Sequence, residues 1–326
     1  MFLDNKIIFL SGATGMAGTN IMRYILENYP TVKIKAVYHK NTRPFIKNKM
    51  IQYVYGELKS ESECKKMVKG CDCAIMAAAN TTGIGATMLQ AREQTHDNLI
   101  MNEQMLKAFY LENIRRVVYI GSATLYQEFD GCIKEEDLDL NKEPPPAYFG
   151  IGWVARFIEK LCKFYHEQFG IQILIVRAAN IFGPYAKFNP QTSNFIPAII
   201  RKAVERMEPF EVWGSPDVTR DVVYSEDFAR AIVMMLDNPR ITFDTFNIGS
   251  GTQTTVGEVA SWALKYSGHT PLEIKYLPCK PTTIKSRALD CAKAKQILGW
   301  QPQYTVQEGI KKTTEWWIKN KNWWTR

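Results

Sequence analysis

Ser11-Gly12-Ala13-Thr14-Gly15-Met16-Ala17-Gly18 is the stretch that decides the fold. An apolar run, Lys6–Leu10, precedes it. Met16–Asn28 follows, with Ile21, Tyr24 and Ile25 at helical spacing. Glycine permits a tight turn and lets the backbone N–H groups around Thr14, Gly15 and Met16 approach an anion. The start of the helix adds partial positive charge. Three glycines alone make an ordinary turn. Between a strand and a helix, at the head of an α/β pattern, Gly12, Gly15 and Gly18 predict a dinucleotide pyrophosphate site.

Outward from this turn, apolar runs recur at Ile34–Tyr38, Ile51–Tyr55, Cys73–Ala79 and Val117–Ile120. They are short and do not strictly alternate, which suits strands covered on both faces. Helical stretches separate several of them. Ser60-Glu61-Ser62-Glu63 reads as a capping box, and a long helix is expected over Thr87 to Glu112. Another helix runs from about Gly152 to Phe169, closed by Gly170, and the strand Ile173–Val176 follows. Thr255 to Glu258 caps a further helix that ends near Gly268. The alternation predicts an α/β fold with a Rossmann-type doubly wound parallel sheet. From Asn180 the pattern changes, with Gly183-Pro184, Asn189-Pro190 and Pro197 breaking it. Residues 1–180 therefore read as the cofactor domain. Residues 181–326 read as mainly a smaller C-terminal substrate lobe, with segments returning to the first domain.

The 326 residues are 46% hydrophobic and 23% charged, an ordinary globular composition. No run approaches the ~20 apolar residues of a membrane span. No signal-peptide layout opens the chain, so the expected location is cytoplasmic. The net charge of +8 is spread over the sequence rather than gathered in a stripe, which weighs against nucleic-acid binding and suits anionic phosphates. Seven cysteines, only Cys71 and Cys73 close together, and four scattered histidines form no redox or zinc pattern, so no metal is expected. Trp316, Trp317, Trp323 and Trp324 read as packing residues.

The end of the second strand bears on the cofactor. NAD sites place an acid there to accept from the ribose 2′-hydroxyl. The sequence is Val37-Tyr38-His39-Lys40-Asn41-Thr42-Arg43. His39, Lys40 and Arg43 suit a 2′-phosphate, so NADP is expected, with NAD the alternative; a solvated basic loop is the plainer reading. Glu57 and Leu58, after the third strand, suit a contact to adenine.

These segments resemble the extended short-chain dehydrogenase/reductase family, the NAD-dependent epimerases and dehydratases, over nearly the whole chain. The matching pieces include the glycine turn, Ala77-Ala78-Ala79-Asn80, Gly121-Ser122-Ala123-Thr124-Leu125-Tyr126 and Arg177-Ala178-Ala179-Asn180-Ile181-Phe182-Gly183-Pro184. Phe246-Asn247-Ile248-Gly249 and Leu298-Gly299-Trp300-Gln301-Pro302 add to them. Ala78 to Ile84, Ser193 to Ala198, and Val212-Trp213-Gly214-Ser215 leading to Arg220 look like the branch that contains GDP-fucose synthase. The resemblance implies that Ala77, Ala78 and Ala79 run along the cofactor. It implies that Arg220 and Lys202 hold nucleotide phosphates, that Asn180 and Asn194 lie near the sugar, and that Arg287 serves the distal phosphate or ribose. It also implies a homodimer through the two long helices.

The catalytic positions depart from the family pattern. The family carries Tyr-x-x-x-Lys on the helix after the fifth strand: the tyrosine moves the proton, and the lysine one turn on lowers its pKa and binds the ribose. By the resemblance these positions hold Ile151 and Ala155. Ser122 survives on the hydroxyl strand, with Thr124 beside it, and Tyr148, Tyr126 and Thr124 are the candidate substitutes. For Tyr148 the plainer reading is packing beside Pro144-Pro145-Pro146. Two functions stay open. One is a nucleotide-sugar oxidoreductase or epimerase, GDP-linked, with an atypical active site. The other is a catalytically degenerate protein that binds NADP or a sugar nucleotide.

Overall fold

The computed structural model describes residues 1–39, 44–81, 91–278 and 288–322. Seven strands form one parallel sheet: β1 (Ile7–Ser11), β2 (Lys33–Tyr38), β3 (Ile51–Tyr55), β4 (Cys73–Met76), β5 (Arg116–Ser122), β6 (Gln172–Ala178) and β7 (Phe243–Ile248). Their order is β7-β6-β5-β4-β1-β2-β3. The direction of winding reverses between β1 and β4. In such sheets the crevice beyond the strand ends at this reversal is where ligands bind.

The apolar runs are continuous because both faces of the sheet are covered. Ile8, Leu10, Ile75, Leu174 and Val176 point into a core shared with α1 (Met16–Asn28) and the helix 225–236. Phe9, Ala74, Met76, Ile173 and Ile175 point into the opposite core. There they meet α2 (Glu61–Val68), α3 (Ala91–Leu111) and α4 (Phe149–Phe169). β7 and the helix 225–236 both lie beyond residue 180 and pack on the sheet and α1.

The helix 225–236 of the first core is α6 (Ser225–Leu236), and a further core gathers around α5 (Phe195–Val204), α7 (Val256–Ser267) and α8 (Val306–Asn320). Its apolar residues include Phe188, Ile199, Val212, Tyr224, Val259 and Trp317. Thr255 and Glu258 form the expected reciprocal cap of α7, and Thr305 and Glu308 do the same for α8.

Some expected boundaries shift. β5 runs on to Ser122, two residues past the apolar run, because the pairing with β6 continues to Ser122 opposite Ala178. β4 stops at Met76 rather than Ala79, since the next two N–H groups bond to a side chain of β1. α4 begins at Phe149, three residues before Gly152, directly after a single tight turn at Pro146–Tyr148. At α2 only half of the expected cap forms. Ser60 accepts from the Glu63 N–H, but the Glu63 carboxylate takes the Glu57 N–H at 2.6 Å. No helix among the described residues is long and apolar enough to cross a membrane.

Candidate active site

The cleft starts where β1 ends. The Ser11 hydroxyl accepts from the N–H groups of Ala77 (3.1 Å) and Ala78 (3.2 Å), tying the ends of β1 and β4 together. Gly12 adopts φ +66°, and a Cβ there would lie 2.6 Å from the Ala77 carbonyl oxygen. A Cβ on Gly18 would lie 2.3 Å from the Gly12 carbonyl oxygen. Larger residues are excluded at both positions, which is what a close backbone approach to a diphosphate requires. The first turn of α1 carries neither a capping side chain nor an acid, so its positive end suits an anion. The turn therefore fits a dinucleotide. Met16 packs against the core gathered around α5, α7 and α8.

Past the ends of β2 and β3, His39 Nε2 lies 3.3 Å from Glu57 Oε2. The same carboxylate accepts from the Lys59 N–H at 3.0 Å. The Leu58 side chain is buried in the core beside Cys64 and Met67, so any contact it makes to adenine is limited to its backbone or edge. Lys40, Arg43 and Arg287 lie outside the described residues. Ala79 is exposed and Ala77 and Ala78 half-buried along the rim. Asn80 is held by Asn98 (2.7 Å) and Asp97 (3.0 Å).

Beyond the ends of β5 and β6 lies a cavity of about 50 Å³. Ser122, Thr124, Tyr148, Asn180 and Arg220 all line it. Ser122 Oγ accepts from the Thr124 N–H at 3.2 Å and from the Thr124 hydroxyl at 3.1 Å. Asn180 donates its N–H to the Asp221 carbonyl at 3.2 Å. Arg220 donates to the Thr219 carbonyl at 2.6 Å. Burial lowers the Arg220 guanidinium, and the charge of the Tyr148 phenol opposes that shift.

Two expected substrate residues stand apart from this cavity's lining. Asn194 is exposed at the N-cap of α5. Lys202 Nζ donates to the Glu211 carbonyl at 2.8 Å, and burial lowers its ammonium. Ile151 is half-buried on α4. Ala155, four residues on, packs with Leu125, Ile133 and Leu289 in a small apolar cluster.

Asp221 escaped the sequence reading. It lines the cavity while being 3% exposed. Its carboxylate accepts from Ser250 N–H (2.7 Å), Ser250 hydroxyl (2.9 Å) and Leu289 N–H (2.9 Å). Burial pushes it up to about 6 against those hydrogen bonds. An acid directly after Arg220 was visible in sequence, but its partners lie 29 and 68 residues away.

Tyr126 turns out to belong to the support beneath the site. Arg177 makes two parallel hydrogen bonds to Glu159, at 2.9 and 2.8 Å, and a third to Tyr126 Oη at 2.9 Å. Tyr126 in turn donates to Asn247 at 2.7 Å. Burial pushes the Tyr126 phenol up to about 12. It is fully buried, which removes it from the candidate proton carriers.

The model of the NAD dependent epimerase/dehydratase family matches residues 8–249. GDP-L-fucose synthase of Sinorhizobium fredii is 27% identical over 326 residues, covering 98% of this chain and 97% of the relative. GDP-mannose 3,5-epimerase of Arabidopsis thaliana is 28% identical, covering 97% and 83%. The structure of UDP-glucose 4-epimerase from Thermotoga maritima with UDP-glucose superposes with a TM-score of 0.85 at 19% identity, covering 96% of this chain and 99% of that one.

Proposed function

The chain belongs to the NAD dependent epimerase/dehydratase family, and on that premise we propose that it binds NADP and a GDP-linked sugar in this cleft. The observation that carries the reading is the shared cavity: two hydroxyls, a phenol, an amide and a guanidinium converge beyond the ends of β5 and β6. GDP is the favoured nucleotide because two curated relatives that match nearly all of this chain are named for GDP-sugars.

In this reading residues 1–180 chiefly hold the cofactor and residues 181–326 mainly hold the sugar nucleotide. The glycine turn and Thr14 take the pyrophosphate. His39, Lys40 and Arg43 take the 2′-phosphate, Glu57 and Leu58 face adenine, and Ala77 to Ala79 follow the cofactor. Arg220, with Lys202 and Arg287, grips the nucleotide phosphates, and Asn180 and Asn194 face the sugar. When bound, the nicotinamide supplies or accepts a hydride. Ser122, aligned by Thr124, hydrogen-bonds the reacting oxygen. The protein is read as a cytoplasmic homodimer with no call for nucleic acid.

The active site is atypical. Ile151 and Ala155 carry no proton and no charge, and Ala155 sits among apolar side chains. Losing a placed general acid costs about 10²–10⁴ in rate, so turnover of ordinary 4-keto GDP-sugars should be slow. That same apolar packing favours the second reading, a binding protein without redox chemistry. Reduced-cofactor absorbance separates the two. Slow turnover that rises strongly in Ile151→Tyr with Ala155→Lys supports a disabled reductase. Rapid turnover by the unaltered chain that neither Thr124→Ala nor Tyr148→Phe lowers sinks the atypical-site reading.

A further inference from the structure

Tyr148 is held firmly at the mouth of the cavity. Its N–H donates to the Pro145 carbonyl at 2.7 Å, within the run Pro144-Pro145-Pro146. One turn into α4, Gly152 presses on the same wall: a Cβ there would lie 2.6 Å from Pro144 Cβ and 2.9 Å from the Thr124 carbonyl oxygen. The start of α4 is thereby packed onto the segment after Ser122. The half-buried Tyr148 lines the cavity with Ser122, Thr124 and Arg220. Arg220 reaches that cavity from a different element, the two-residue strand 219–220, and is within electrostatic range of the phenol.

Two other proton carriers of the cavity are engaged, and Ser122 has no base beside it to make its hydroxyl a good proton shuttle. The Thr124 hydroxyl donates to Ser122. The Asp221 carboxylate is taken up by Ser250 and Leu289. We infer that Tyr148 is the proton donor to the reacting sugar oxygen, and that Arg220 is the cation that holds its phenolate. The pair would act across the cavity where other family members place both groups on one helix face. Arg220 is a positioning residue in this scheme, acting through Tyr148. The inference rests on the cleft being a nucleotide-sugar site.

The balance is simple. A ketone carbon of the sugar receives a hydride from a reduced nicotinamide dinucleotide, which is oxidised. The C=O π pair moves to oxygen, and that oxygen takes the Tyr148 proton. Solvent then returns a proton to the phenolate. Arg220 changes neither protonation nor bonding.

The test is a double-mutant cycle at saturating reduced cofactor and 4-keto GDP-sugar, with GDP affinity measured in parallel by calorimetry. Tyr148→Phe is expected to lower the saturated rate by about 10²-fold or more with GDP affinity unchanged. Arg220→Gln should lower the rate comparably and weaken GDP, and Arg220→Lys should restore part of the rate. In the Tyr148→Phe background, Arg220→Gln should weaken GDP but slow the reaction no further. Wild-type rates in Tyr148→Phe, or independent multiplying losses, overturn the inference. So does GDP-sugar binding by the unaltered chain with no turnover at all. Failure of the unaltered chain to bind GDP overturns the site reading itself.

Discussion

The Glu57 carboxylate lies 3.3 Å from the His39 imidazole, so an acid from the end of β3 reaches the end of β2. The sequence places no acid on β2 itself, and this one arrives through space. It bears directly on the choice between NADP and NAD, because a carboxylate repels a 2′-phosphate and accepts from a 2′-hydroxyl.

NADP is expected to bind more tightly than NAD, and Glu57→Gln should widen the gap. Both side chains are about one-third exposed, so the gain is limited to about 1 kcal/mol, or roughly fivefold. Calorimetric titration of both cofactors with both proteins checks this. A preference for NAD that Glu57→Gln leaves intact would return His39, Lys40 and Arg43 to the status of a basic surface loop.

The buried pair of Arg177 and Glu159 should govern stability. Their side chains are 6% and 10% exposed. Glu159→Gln removes the countercharge while Arg177 stays buried, a change that costs about 3–5 kcal/mol. Urea denaturation gives the number. A loss below about 1 kcal/mol would show that Tyr126 and the Glu135 carbonyl satisfy Arg177 without it.

Asp221 sets a pH dependence with a definite sign. Its folded pKa is raised from 3.8 to about 6 by burial, so the folded state binds the proton more tightly than the unfolded chain does. The stabilisation from protonation is fully present below about pH 3.8 and lost as pH rises through about 6. Two units correspond to about 3 kcal/mol at most. The thermal midpoint of the unaltered protein relative to Asp221→Asn should therefore fall as pH rises from about 3.8 to about 6. A constant difference across that window would mean that Asp221 titrates alike in both states.

Much of this architecture was legible because its signals are local. The bounds of α1 follow from the glycine turn and the spacing of Ile21 and Ile25, and the sheet follows from runs that both cores require to be apolar. What stayed hidden depends on partners distant in sequence. Ser122 lies on the sheet because Ala178 pairs with it. The Leu58 side chain fills the core beside Met67, which its place after the third strand does not announce. The Lys202 ammonium donates to the Glu211 carbonyl, a contact that no local pattern shows. Nothing in the residues around Asp221 announces that Leu289 and Ser250 close over it.

A homodimer is expected through α3 and α4. Ile158, Cys162 and Tyr165 of α4 are consumed by the core. Phe157, Phe164 and, on α3, Tyr110 and Leu111 remain exposed, between 41% and 52%. Burying such side chains favours association by about 1.5–3 kcal/mol each when complete. Light scattering should give twice the chain mass, and Phe157→Glu should give the single mass. A monomer at micromolar concentration for the unaltered protein would contradict the assignment.

The most direct test of the central claim is calorimetric titration of the unaltered chain and Arg220→Ala with GDP-, UDP- and dTDP-sugars. Arginine can hold phosphate oxygens through two parallel hydrogen bonds, and its loss costs about 1.5–3 kcal/mol, the scale of charged hydrogen bonds. The account predicts that GDP-sugars bind most tightly and that Arg220→Ala weakens them by about tenfold to a hundredfold. Equal GDP-sugar affinity in Arg220→Ala, or tighter binding of UDP- or dTDP-sugars, would contradict it.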